Sequence, residues 1–95
     1  MKYAIFSEYQ PIHRDKIMER APLFLKDREE NPDKYPKVIF ESHNLGGSTK
    51  SISIVEGTYE QLLNQRHMWM PYQKMKFVPL YKSAKLAEKY PTTKT

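Results

Sequence analysis

Hydrophobic and polar positions alternate in four short stretches of the chain and recur every three to four residues in two longer ones. The first alternating stretch is KYAIFSEYQ, Lys2 to Gln10. Tyr3, Ile5, Ser7 and Tyr9 take one face, and Ala4, Phe6 and Glu8 take the other. Both faces are largely apolar, which predicts a central strand covered on both sides, ended by Pro11. From Ile12 to about Glu30 the period becomes helical, with Ile17, Ala21, Phe24 and Arg28 on one stripe and Met18 and Leu25 beside it. Pro22 removes a helical donor, so a kink or a break into two helices is expected at Arg20–Leu23. NPDKYP, Asn31 to Pro36, is dense in turn formers. KVIFESHN, Lys37 to Asn44, and SISIVE, Ser51 to Glu56, then read as two strands joined through Gly46 and Gly47 into an antiparallel hairpin.

Thr58 and Gln61 have the spacing of a capping box, and Tyr59, Leu62, Leu63, Arg66 and Trp69 or Met70 give the second helix its buried stripe. Pro71 ends that helix. The last strand is KMKFVPLYK, Lys74 to Lys82, with Met75, Phe77, Pro79 and Tyr81 on one side; its internal proline assigns it to an edge. Ser83 to Tyr90 reads as a short terminal helix before the polar PTTKT end. The order is β-α-β-β-α-β, the split βαβ plan of a ferredoxin-like α+β sandwich: a four-stranded antiparallel sheet with two helices on one face. Residues 1–82 form this single domain and residues 83–95 a basic C-terminal extension. The other sheet face would be bare, which predicts sheet-to-sheet dimerisation into an α+β barrel.

With 95 residues the chain has enough length for one core and not two. It has no cysteine, which excludes disulfides, thiolate catalysis and thiolate metal sites. The start, MKYAIF, lacks the long apolar segment of a signal peptide, and no apolar run reaches about 18 residues; the expectation is a soluble, cytoplasmic protein with no membrane partner. The formal charge is +5, and it is unevenly placed. Residues 1–72 carry ten Lys/Arg against ten Asp/Glu, whereas residues 73–95 carry six lysines against Glu88. Such a lysine-rich end suits a solvated edge, or a nucleic-acid or partner-binding module. An RNA-reading sheet of this topology would need exposed aromatics on its first and third strands, and SISIVE has none, so nucleic acid is not the expected partner.

Tyr3, the Pro11-Ile12-His13-Arg14 helix start, Gly46-Gly47, Ile54-Val55-Glu56, Trp69 and the closing Phe77-Val78-Pro79-Leu80 together resemble small uncharacterised proteins of the dimeric α+β barrel superfamily. The resemblance covers residues 2–82 and its motifs are short. It implies a homodimer, with scope for higher assembly, whose two sheets enclose a cavity. That superfamily includes cofactor-free monooxygenases, haem-handling enzymes, lactone isomerases and proteins with no assigned activity. The chain departs from it in the long Pro22-containing first helix and the basic extension. Its haem-degrading members would need an Asn on the first strand beside His and Trp; His67 and Trp69 are present, but Ser7 stands where that Asn is expected.

Candidate chemistry is sparse. GGSTKS, Gly46 to Ser51, lacks the glycine spacing and following helix of a phosphate loop and reads as a hairpin loop. His13, His43 and His67 have no metal-ligand spacing, so neither a metal nor a cofactor is expected. His43, His67 and Glu41 are the candidate catalytic residues, as imidazoles or a strand-end carboxylate suited to proton transfer. Ser7, Tyr9, Phe40, Ser53, Trp69 and Tyr81 are the candidate ligand-binding residues. Ser7, Ser42 and Ser51 or Ser53 read as sharing a face with Tyr3, Tyr9, Phe40 and Val55, and that face is assigned to the barrel interior. Trp69 reads first as a core anchor beneath the second helix and only second as a ligand platform. The resulting expectation is a homodimer holding a small apolar or aromatic molecule, with a cofactor-independent monooxygenase- or isomerase-like enzyme as the alternative.

Overall fold

A computed structural model describes residues 1–84 of the chain. Strand β1 (Lys2–Glu8) leads through a 3-10 turn (Pro11–His13) into helix α1 (Arg14–Glu30), and a second 3-10 turn (Pro32–Lys34) leads to β2 (Lys37–Asn44). Strand β3 (Lys50–Glu56), helix α2 (Tyr59–Trp69) and strand β4 (Lys74–Pro79) follow. The strands form one sheet in the order β2-β3-β1-β4, every neighbouring pair antiparallel. This is the ferredoxin-like α+β arrangement that the hydrophobic pattern predicts, with the apolar β1 in the interior of the sheet and Pro79 on an edge strand. No helix among the described residues is long and apolar enough to cross a membrane. The expected Ser83–Tyr90 helix falls, beyond residue 84, outside the described residues, as does most of the basic extension.

The side of the sheet that holds the core is set by Ile5, Val55 and Leu62, all essentially inaccessible to solvent. Leu62 comes from α2, so Ile5 and Val55 point toward the helices, with Tyr3, Met75 and Phe77 packed around them. Because strand side chains alternate with period two, Ser7 and Ser53 are carried to that same side with Ile5. Ser7 pairs with Ser51 and Ile5 with Ser53 in the β1–β3 register. The assignment of the serine face to a barrel interior is therefore corrected: it is the helix-covered face, and Ser7 is buried there.

Phe40 leaves that group for a different reason. Strand β2 pairs Val38 with Val55, Phe40 with Ile54 and His43 with Ile52, with register shifts between these pairs. The inserted residues turn Phe40 and His43 to the helix-free side, whereas Val38 stays on the helix side. The break expected at Pro22 is also absent, and α1 is one helix of 17 residues. Pro22 is exposed, so water can reach the Met18 carbonyl that loses its helical donor. Strand β4 ends at Pro79, three residues sooner than expected, with Leu80 N still donating to the Lys2 carbonyl.

Two aromatic contacts join the helices to the turn regions. The Phe24 ring of α1 lies 5.1 Å from Tyr35 and 5.5 Å from Trp69 at the end of α2. Thr58 and Gln61 form the reciprocal capping box at the start of α2. Gly46 and Gly47 both adopt positive φ in the β2–β3 hairpin, a conformation open to glycine at no steric cost.

Candidate functional site

The helix-free face, the one that no helix among the described residues covers, is organised in four rows across the sheet. One central row runs Phe40–Ile54–Ala4–Val78, and the next runs His43–Ile52–Phe6–Lys76. Charged rows bound them: Lys37–Glu56–Lys2 at one end and Lys50–Glu8–Lys74 at the other. An apolar island thus lies between two rows of alternating charge. Phe6 and Phe40 remain 41% and 43% exposed, values that set them apart from the core across the sheet. Phe40 stacks on His43 with ring centroids 4.5 Å apart. A cavity of about 490 Å³ opens beside Phe6, where Leu45, Lys76 and Met75 also contribute.

The predicted catalytic residues do not converge. His43 is on the helix-free face, its Nδ1 2.6 Å from the Glu41 carbonyl oxygen. The Glu41 carboxylate turns the other way, to Arg28 of α1 at 3.6 Å. His67 is exposed on α2, across the sheet from His43. Of the predicted ligand-binding residues, Phe40 faces the open side, Ser7 and Ser53 face the helices, and Trp69 packs on Phe24. Tyr81 follows the end of β4 and is exposed. Among the described residues no three His, Asp or Glu side chains are grouped as metal ligands.

Tyr9 belongs to a second cavity, of about 400 Å³, at the end of the sheet where β1 runs into the Pro11–His13 turn. Glu8, His13, Thr49, Tyr72 and Lys74 line it with Tyr9. The ring of Tyr72 is held from two directions: His13 lies 5.5 Å away, and the Arg20 guanidinium is 5.3 Å from the ring centroid. Arg20 is itself tethered by a 2.7 Å hydrogen bond to the Met68 carbonyl. The Met70–Pro71 peptide preceding Tyr72 is cis. His13, Tyr72 and Lys74 were not singled out by sequence reasoning as one group, because His13 and Tyr72 lie 59 positions apart and tertiary pairing such as that of β1 with β4 brings them together.

The largest electrostatic perturbation lies away from both cavities. Asp27, at the end of α1, accepts hydrogen bonds from Lys34 Nζ at 2.8 Å, from Asn31 Nδ2 at 2.9 Å and from the Tyr35 hydroxyl. The Lys34 bond, followed by that of Tyr35, holds the Asp27 carboxyl down at about 2. The same cluster raises Lys34, chiefly through its bond to Asp27, and raises Tyr35, chiefly through burial. Tyr35 is almost fully buried, so this cluster closes the turn between α1 and β2.

Comparison of the chain with family models, with curated proteins and with solved structures gives no match.

Proposed function

We propose that the protein is a homodimer of the α+β barrel kind, formed by apposing two helix-free sheet faces, and that it holds a small apolar or aromatic molecule between them. The observation that carries this reading is the pair of apolar rows, Phe40–Ile54–Ala4–Val78 and Ile52–Phe6, on a face that no helix among the described residues covers. Contiguous apolar surface of this kind is a feature of interaction sites, and hydrophobic burial is the main drive for association. The bounding lysines have long stems that can lie along an interface while their ammonium groups stay in water. A facing sheet would roof the cavity beside Phe6 and give it apolar walls. On β3 the open side presents Ile52 and Ile54 where a base-stacking sheet would present rings, which favours a protein partner over nucleic acid.

Light scattering coupled to size-exclusion chromatography tests the assembly. The expected mass is twice the 11.3 kDa of one chain, and Ile54→Lys, in the middle of the central row, returns a monomer with unchanged circular dichroism. A wild-type mass of one chain at micromolar concentration rejects the dimer. A panel of apolar and aromatic compounds screened by thermal shift against both proteins tests the cavity; stabilisation of wild type alone is the expected result.

A further inference from the structure

We infer that the cavity at the end of the sheet is a separate binding site for a small aromatic carboxylate. It shares Glu8 and Lys74 with the cavity beside Phe6, but Tyr9, His13 and Tyr72 line it in place of Phe6, Leu45 and Met75. A volume of about 400 Å³ lies within the range of small-ligand pockets, and two phenol rings, Tyr9 and Tyr72, form its apolar walls. Tyr72 is preorganised as a wall by His13 and by Arg20, whose guanidinium is anchored to the Met68 carbonyl. A ring already held in place loses little freedom when a ligand ring packs on it.

The charge of the site selects an anion. Glu8 and Lys74 both line the cavity and are register partners across β1 and β4. Glu8, however, is ion-paired with Lys50 on its other side, at 3.6 Å. Lys74 has no carboxylate within 4.0 Å among the described residues. With Lys50 outside the cavity taking up Glu8, the row Lys50–Glu8–Lys74 carries one unneutralised positive charge, and Lys74 is the member that lines the aromatic cavity. A planar carboxylate would place its oxygens on the Lys74 ammonium and its ring against the phenol walls. The His13 imidazole beside Tyr72 supplies a further donor in its N–H form. A ligand with a bare phosphate could use the same ammonium but would leave the aromatic walls unfilled, so inorganic phosphate serves as the control anion.

Glu8 and Lys74 also line the cavity beside Phe6, so the readouts at the Tyr9, His13 and Tyr72 rings, which line only the end cavity, are the ones that separate this site from the dimer. Benzoate and 4-hydroxybenzoate are titrated into the full chain and followed by NMR at the His13, Tyr9 and Tyr72 ring resonances, with benzamide and inorganic phosphate as controls. Both carboxylates should shift these resonances saturably, with benzamide and phosphate at least about tenfold weaker, the factor expected for losing one charged hydrogen bond or the ring contacts. Lys74→Gln, at an exposed position, should weaken benzoate about tenfold while the fold is kept. Tyr72→Leu should weaken it while leaving the salt dependence in place, and Lys37→Gln, on another row, should change nothing. The monomeric Ile54→Lys variant should bind as the wild type does. Equal binding of benzoate and benzamide, indifference to Lys74→Gln, or loss of binding in Ile54→Lys would each overturn the assignment, as would the absence of any shift at His13 and Tyr72. Failure of the dimer test leaves these readouts intact, so the two proposals fail separately.

Discussion

The Tyr35 hydroxyl donates a hydrogen bond to the Asp27 carboxylate, across the turn that joins α1 to β2. Tyr35 is buried with its ring against Phe24, so one side chain fills the core and also closes the end of the helix. Tyr35→Phe keeps the packing and removes only the hydroxyl. Asp27 retains Lys34 and Asn31 as donors, so the expected loss is about 1 kcal/mol. In a domain of this size that corresponds to a fall of roughly 4–8 °C in Tm, measurable by a thermal melt at pH 7. Tyr35→Ala also empties core volume and should cost about 3–5 kcal/mol.

The same carboxylate makes the fold acid-sensitive in a defined window. Its folded pKa of about 2 lies below the usual 3.8, so its stabilising effect is complete above the unfolded value and is lost as the pH falls through the folded one. Asp27→Asn removes that linkage. Urea titrations at pH 7, 5, 3 and 2 should show wild type the more stable at pH 7 and 5 by the same margin, and a margin that shrinks between about 4 and 2. A margin unchanged down to pH 2 would mean that the charge of Asp27 contributes nothing.

Gly57 and the capping box of α2 are one mechanical unit. Thr58 N donates to Gln61 Oε1 at 2.9 Å, Gln61 N donates to Thr58 Oγ1 at 3.2 Å, and Gln61 Nε2 reaches the Asp33 carbonyl at 2.9 Å. A Cβ added at Gly57 would meet Pro36 Cβ at 2.9 Å and press on the Gln61 side-chain oxygen. Thr58→Ala should cost about 1 kcal/mol. Gly57→Ala should cost at least as much by displacing Gln61. Because both changes break the same cap, denaturant melts of the double variant should show less than the sum of the two.

Helix and strand order was legible because the signals are local: alternation in KYAIF and SISIV, the Thr58–Gln61 spacing, and the glycine pair of the hairpin. Which strand face meets the helices was not legible, since both faces of β1 are apolar and period two cannot choose between them. The structure resolves the choice through Leu62, which packs on Ile5 and Val55 and so sends the serines inward. Phe40 was misplaced because the irregular pairing of β2 breaks the alternation on which its face was inferred. Pro22 does not split α1 in two, since its face of the helix is open to solvent and water can take the place of the lost donor. The end cavity needs His13 and Tyr72, which only tertiary pairing brings together.

Trp69 closes the contact between the two helices, with its ring 5.5 Å from that of Phe24 and tilted by 55°. Phe24 is buried, and it also meets Tyr35 edge-on and carries the Arg28 guanidinium 5.3 Å from its centroid. Phe24→Ala removes the one ring that links α1, α2 and the β2 turn, and should cost about 3–5 kcal/mol. Because Trp69 is the only tryptophan, its emission reports this junction without interference from another indole. Phe24→Leu should retain most of the volume, cost less than the alanine change and leave the emission maximum near that of wild type. Phe24→Ala should shift the emission to the red as water reaches the indole, at a urea concentration where wild type is still folded. Emission unchanged in Phe24→Ala, with the melt also unchanged, would show that Trp69 takes its environment from α2 and β4 alone.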